Sequence, residues 1–444
     1  MSAEIAAVRL LEILDSRGLP TLQVELTLDQ GTQVYAGVPS GTTTGAAEVS
    51  ERRDGDRLRF AGRGLIEVAA QSSRLLTEAL GGLRLNRVED QIVLDQRLHD
   101  LDPSRRLVHL GGNVAVGVSV AACRAIADVV AVPEWRVVNE LASALGGGGP
   151  QPSPRLPVPY VTLISGAAGA ADLPFQDFMI APIGAPSPAE AIRAGAEIYQ
   201  RLRALLTAAD LPVGGAEEGG FTLAGARPDQ ALELMLDAIS EAGYEAGRQG
   251  IMLALDVAAS RFRFGTEYVL GDQQISTNAM IDYLEELVDQ YPIWSIEDGL
   301  AENDWDGWLL LKHRLGGRIQ IVGDDIFVTD ADLVRRGIER GWANAAVIKL
   351  NQVGTVSQGI TAASTCAAAG WGAMVAHRSG ETTDPFIADL AVGLGCGQLK
   401  AGAPVRGERV AKYNRLLEIA ASGEVADWGL PAEHQPLLTP ERLR

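Results

Sequence analysis

Cysteine and lysine are scarce in this chain, and each scarcity narrows what the protein can be. Cys123, Cys366 and Cys396 are odd in number and widely spaced, so a disulfide or zinc framework is excluded and reduced thiols in a cytoplasmic protein are expected. Only four of the 38 basic residues are lysines (Lys312, Lys349, Lys400 and Lys412), which makes arginine the default cation. Arginine stays protonated, whereas a lysine in a dry, cation-rich pocket can act as a base, so a lysine kept at a special place asks for a reason. Positive charge as a whole is in deficit: the net charge is −19 and the pI about 4.8. That balance disfavours nucleic acid or an anionic membrane as partner, while an anionic substrate can still be held by local cations or a metal. Long uninterrupted apolar runs are missing as well. Glu4 and Arg9 break the N-terminal segment, so no signal peptide is expected. The uncharged stretch 351–376 is long enough to span a bilayer, but Gln, Ser, Thr and Gly recur through it, and a buried helix and strand are expected instead.

What is present is a chain of 444 residues, 47% hydrophobic, able to bury a large core and to divide into domains. Residues 21–28 (TLQVELTL) partly alternate and are joined by Asp29-Gln30-Gly31 to TQVYAGVP, the pattern of an antiparallel hairpin. PSGTTTG, residues 39–45, is a loop of small residues whose backbone can approach an anion and whose hydroxyls can meet a hard cation; an ordinary surface loop reads the same way. Residues 65–81 and 113–131 carry Ala, Leu and Val at helical spacing. An α+β domain over residues 1–142 follows, then a Gly/Pro-rich linker over 143–159, then an α/β domain over 160–444 in which short apolar strands alternate with helix-length segments.

Six of those strands end on an ionisable residue: Asp256, Glu297, Asp324, Lys349, His377 and Lys400. Their spacing is mostly one βα unit, which directs all six to the face where β/α barrels build active sites. Three converging carboxylates with no cysteine or histidine beside them suit Mg²⁺, and Asp256, Glu297 and Asp324 are the proposed ligands. Lys349 ends the apolar run AAVI and faces that cation, which should push it towards the neutral form and make it a base; a structural ion pair is the other reading. GGAEEGG, residues 214–220, offers Glu217 and Glu218 as an acid to set against it, or is a solvated loop.

ILDSRGLPT, VPSGTTTG, QDFMIAP, EEGG, LALD, SIED, GDD, IKLNQVGT, HRSGET and GQLKAGAP, in this order along nearly the whole chain, resemble the enolase family. The resemblance implies a small N-terminal α+β domain followed by a modified eight-stranded β/α barrel, acting on substrates of the 2-phosphoglycerate and phosphoenolpyruvate type through a metal-stabilised enolate. It implies that Asp256, Glu297 and Asp324 hold a first Mg²⁺, and that Ser40 helps to complete a second Mg²⁺ site when substrate arrives. By the same likeness Lys349 takes the C2 proton, Glu218 protonates the C3 hydroxyl, Lys400 holds the carboxylate, Arg378 and Ser379 bind the phosphate, and His377 lies beside them. A homodimer or dimer-based octamer is implied too. The chain departs from the pattern in one loop, where Asp177 stands for the family's glutamate and Ala168 for its histidine. The five histidines, His99, His109, His313, His377 and His434, all lie elsewhere. The phosphate and leaving-hydroxyl side is thus remodelled while the metal and C2 side is kept. A specialised paralogue is the expectation, such as a carboxyphosphonoenolpyruvate synthase of phosphonate natural-product biosynthesis. Ordinary 2-phosphoglycerate dehydration is the alternative, with a non-catalytic binding protein third. The tail, residues 429–444, has no assigned purpose.

Overall fold

In the computed structural model, residues 3–42, 45–146, 152–166 and 173–431 are described. Ala168, Thr43 and Thr44, the glycine run of the linker after Gly146 and most of the tail lie outside them.

The N-terminal domain is built on an antiparallel sheet of β1 (Ile5–Leu14), β2 (Pro20–Leu28) and β3 (Gln33–Gly37) in that order, with the expected hairpin between β2 and β3. Alternation in β2 puts Leu22, Val24, Leu26 and Leu28 inside at 1% exposure or less. Helix Gly112–Val130 packs on β2 and β3. It is long and apolar enough to cross a membrane by length and composition, but 78% of that window is buried, as expected of a core helix. Helices Ile66–Leu80, Asp90–Leu101 and Glu134–Leu145 complete the domain.

The linker is narrower than its composition suggests. A helix runs to Leu145, and β4 (Arg155–Leu156) and β5 (Val158–Ser165) begin inside the expected span; β4 pairs with β16 (Asp427–Trp428). From β5 the chain turns back as β6 (Asp177–Ala181), then follow β7 (Met252–Asp256) and a small sheet of β8 (Arg263–Phe264), β9 (Glu267–Leu270) and β10 (Gln273–Ser276). The remaining barrel strands are β11 (Ile293–Glu297), β12 (Gln320–Gly323), β13 (Ala345–Ile348), β14 (Gly372–Ala376) and β15 (Gln398–Gly402). Strands β5, β6, β7 and β11 to β15 close into one barrel. All neighbours are parallel except β6, which is antiparallel to both β5 and β7. Only residues 166–176 separate β5 from β6, fewer than the dozen or so that a crossover to a parallel strand takes, so β6 runs backwards. Its first residue, Asp177, therefore comes to the rim where the other strands finish, in register with Asp256, which pairs in turn with Glu297.

The interior is filled, not hollow. Val158, Met179, Ala254, Val347 and Met374 pack around Trp294, whose Nε1 donates to the Tyr160 hydroxyl at 2.6 Å. Tyr160 donates to Gln398, and Gln398 exchanges bonds of 2.9 and 3.1 Å with Gln320. That satisfied network closes the interior below the rim.

The two domains are tied at the rim. Arg124 forms a two-pronged pair with Asp384 at 2.6 and 2.7 Å, and Asp384 also accepts from the Gly37 N–H. Ser40 and Gly380 exchange backbone hydrogen bonds of 2.8 and 2.9 Å, holding the start of the PSGTTTG loop over the barrel mouth.

Candidate active site

Asp256 ends β7, Glu297 ends β11 and Asp324 follows β12, so three neighbouring strands deliver three carboxylates that are all buried. Lys400 reaches across two of them: its Nζ lies 2.6 Å from Asp256 Oδ2 and 3.0 to 3.1 Å from both oxygens of Glu297. Lys349, just past β13, donates to Asp324 Oδ2. Two amides finish the pattern, Gln176 donating to Asp256 at 3.1 Å and Gln352 to Asp324 at 2.9 Å.

Burial, with Asp256 alongside, pushes Glu297 up to about 8 despite Lys400. Asp324 is held below its ordinary value, because Lys349 outweighs the effect of burial. Both lysines are raised: burial favours their neutral forms, but Asp324 outweighs it for Lys349, and Asp256 with Glu297 does so for Lys400. The expectation of a neutral Lys349 applies to a site holding a cation; among these residues alone the carboxylate that would face the cation holds the ammonium. A carboxyl raised this far although Lys400 lies beside it marks a crowding of negative charge, and the donors are all oxygens. These residues fit Mg²⁺. Among the described residues, the acidic group whose ligand atoms lie within 4.8 Å of one another is Asp298, Asp324 and Asp325; Asp256 and Glu297, each bonded to Lys400, are not part of it. Asp298 also accepts the N–H groups of Asp324 and Asp325, and so shapes the turn that presents Asp324.

The opposite side of the mouth carries the anion-binding and acid groups. Asp177 accepts from the Ser165 hydroxyl at 2.7 Å through Oδ1, while Oδ2 is buried with no hydrogen-bond partner. Burial, reinforced by Glu218, holds Asp177 well above its usual value. Glu218 shifts the other way, since nearby cationic groups outweigh its burial. The two carboxyls are thus set apart by their surroundings, Asp177 towards the protonated form and Glu218 towards the ionised one. Glu218 Oε2 lies 3.0 Å from His377 Nε2, without the alignment of a hydrogen bond. Burial pushes His377 down to about 4, so its imidazole is neutral.

Arg378 is 5% exposed and is gripped by Glu48 of the N-terminal domain at 3.0 Å and by Asn351 at 3.1 Å. Gly41 passes so close that a Cβ there would lie 1.9 Å from Arg378 Nη2, which explains a glycine at this crossing. Ser379 Oγ accepts from the Thr42 N–H at 3.0 Å. Ser40 is near the site but turned from it: its hydroxyl bonds Glu51 and Arg53 at 3.1 Å. None of its recorded bonds reaches Asp256, Glu297 or Asp324. These groups surround a polar cavity lined by Lys349, Lys400, Asp324, Glu218 and Arg378, among others. A larger cavity beside it shares Gln176, Glu218 and Ser379 and extends to Asp177 and Arg261.

Glu48, Gln176, Gln352 and Arg409 were not singled out from sequence. Gln176 and Gln352 lie inside the motifs QDFMIAP and IKLNQVGT, a usable signal; Glu48 and Arg409 act across the domain and helix boundaries, which spacing along the chain does not reveal.

The fold and this mouth define a β/α-barrel enzyme with a cluster of carboxylates and two lysines at the ends of its strands, of the lyase-type class. Residues 153–429 match the family described as Enolase, C-terminal TIM barrel domain, and residues 5–138 match Enolase, N-terminal domain. Similar curated proteins include "Enolase" of Rubrobacter xylanophilus, 46% identical over 95% of this chain and 96% of its own. "Enolase" of Acidothermus cellulolyticus is 46% identical over 94% of each chain, and "Enolase" of Beutenbergia cavernae is 44% identical over 94% of this chain and 95% of its own. The chain belongs to the enolase family.

Proposed function

We propose that this enzyme interconverts 2-phosphoglycerate and phosphoenolpyruvate, the ordinary reaction of the family, and not first the specialised one that the remodelled loop suggests. The observation that carries it is the paired arrangement of Lys349 on Asp324 and Lys400 on Asp256 and Glu297, a base and a carboxylate holder presented together over an oxygen-only cation site. Relatives named Enolase at 44–46% identity over almost the full chain support the ordinary reaction.

Asp256, Glu297 and Asp324 would hold Mg²⁺, which when bound supplies Lewis-acid stabilisation of the charge that develops on the substrate carboxylate. With Asp324 turned to a bound cation, Lys349 would lose the partner that keeps it an ammonium and, once deprotonated, take the proton from C2, and Lys400 lies where it can hold that carboxylate. On the far side the Glu218 and Asp177 pair supplies a proton to the C3 hydroxyl, which leaves as water as the C2–C3 double bond forms; Glu218 is the expected donor, and Asp177, held above its usual value, is the second candidate. Arg378 and Ser379 take the phosphate, with the Thr42 N–H at the same corner. Ser40 as a ligand of a second Mg²⁺ requires its hydroxyl to leave Glu51 and Arg53. Formation of phosphoenolpyruvate from 2-phosphoglycerate, followed by ultraviolet absorbance with and without Mg²⁺, tests the assignment.

A second reading rests on the remodelled loop. Asp177 is a methylene shorter than the family's glutamate and leaves Oδ2 unpartnered beside the larger cavity. Together with Ala168, this favours a substrate enlarged on the phosphoryl side, as in a carboxyphosphonoenolpyruvate synthase. A carboxyphosphonate that binds as tightly as 2-phosphoglycerate, with no turnover of the latter, would establish it. We place the reaction in the cytoplasm and the active unit as a homodimer or dimer-based octamer; light scattering that finds monomer alone at micromolar concentration counts against the latter.

A further inference from the structure

The largest buried cation near the mouth belongs to no step described so far. Arg409, on helix Gly407–Ser422, is fully buried, and its guanidinium is surrounded mainly by neutral acceptors. It donates to His377 Nδ1. It also donates to the carbonyls of Arg378 at 2.6 Å, Ser379 at 2.5 Å and Glu217 at 3.3 Å. Its nearest carboxylate, Glu408, stands 3.6 Å from Nε and makes no hydrogen bond there. Burying a charge in this way is costly unless its donors are used, and here both Nη groups are spent on two separate loops while Nε has no hydrogen-bond partner. One loop carries Glu218; the other carries His377, Arg378 and Ser379.

We propose that Arg409 is a positioning residue: it locks His377 in the tautomer with the proton on Nε2, on the Glu218 side of the ring, and binds the Glu218 loop and the loop of His377, Arg378 and Ser379 into one unit. A guanidinium has donors only, so the ring nitrogen it meets must accept, and the single proton of the neutral ring is left on Nε2. That nitrogen faces Glu218 Oε2 at 3.0 Å, and both atoms are buried without an aligned hydrogen-bond partner, free to be satisfied by a substrate hydroxyl. Gly402 supplies independent support. At φ +87° it has no side chain, and a Cβ there would lie 2.9 Å from the Glu218 carbonyl, 2.9 Å from Arg409 Cδ and 3.0 Å from His377 Cε1. The strand is cut back where the three groups converge. Lys412, one turn further on, is spent on Glu381, Thr382 and Glu408 and does not duplicate this contact. The charged groups facing His377 are Glu218, Arg409 and Glu381, with Lys400 contributing the carbonyl that its N–H donates to.

The kinetic part of the inference rests on the proposed function; the tautomer does not, and the experiment separates them. Full-length protein with ¹⁵N-labelled histidine gives long-range ¹H–¹⁵N spectra in which the two neutral tautomers differ, and the His377 signals are identified by their loss in His377→Gln. The expected result is an Nε2–H imidazole in the native enzyme, unchanged from about pH 8 to about pH 5.5. In Arg409→Met the preference should be lost and kcat should fall about a hundredfold, with a smaller change in KM. Arg409→Lys, which keeps one donor, should restore the tautomer and part of kcat. An Nδ1–H ring in the native protein overturns the inference even if Arg409→Met does not fold. An unchanged His377 spectrum in a folded Arg409→Met protein overturns it as well, whatever the substrate proves to be.

Discussion

Lys400 Nζ lies 2.6 Å from Asp256 Oδ2, so the lysine that is to hold a substrate carboxylate is, without substrate, the counter-ion of a metal ligand. Its removal leaves Asp256 and Glu297 uncompensated. Hydrogen bonds to charged groups are worth about 1.5–3 kcal/mol, so Lys400→Ala should tighten Mg²⁺ binding on the order of tenfold or more while abolishing turnover. Calorimetric titration with Mg²⁺ checks this, and weaker binding would show that Lys400 supports the metal site.

Lys349 stands in the same relation to Asp324, but as the base. Lys349→Ala should lower kcat by about 10²–10⁴-fold with Mg²⁺ binding retained, since a base and no ligand is lost. Near-normal turnover in this variant would remove Lys349 from the mechanism.

Asp256→Asn, Glu297→Gln and Asp324→Asn each withdraw charge from an oxygen-only cage. Each should raise the Mg²⁺ concentration needed for half-maximal activity. Full activity of all three at limiting Mg²⁺ would move the cation elsewhere, with Asp298 and Asp325 the next residues to test.

His377 couples the site to acid stability. Its pKa is about 4 when folded, against about 6.5 in an unfolded chain. Between those values the unfolded chain binds a proton that the folded one refuses, so stability is lost as pH falls through this window. The loss from this residue amounts to about 3 kcal/mol at most. Denaturant melts of native protein and His377→Gln, compared from about pH 7 to about pH 4, should show a shallower decline in the variant. Parallel curves would mean that the imidazole is not buried as described.

The remodelled loop supplies a gain-of-function test. Ala168→His with Asp177→Glu should raise 2-phosphoglycerate turnover, and the two effects should be non-additive because the family likeness puts both groups in one loop. Additive or absent effects would mean that the loop does not shape the acid side.

Much of this was legible in the sequence because strand ends are marked by a change from apolar to ionisable residues. Asp256, Glu297, Asp324, Lys349 and His377 all fall at or just past such ends, and only Lys400 lies within its strand, at the centre of β15. The reversed direction of β6 was not readable from its own apolar residues; it follows from a short connection, and it is what delivers Asp177 to the rim. Protonation was the least legible property. Whether Lys349 or Glu218 carries a proton depends on Asp324, His377 and Arg409, residues 25, 159 and 191 positions away, brought into contact only by barrel closure and the last helix.

The most direct measurement is the initial rate of phosphoenolpyruvate formation from 2-phosphoglycerate by the native enzyme in saturating Mg²⁺. An ordinary member of the family should reach a kcat/KM of about 10⁴ M⁻¹ s⁻¹ or more, with the rate abolished by chelation of the metal. A folded protein that binds Mg²⁺ yet forms no phosphoenolpyruvate from 2-phosphoglycerate would contradict the proposed reaction and give precedence to the enlarged substrate.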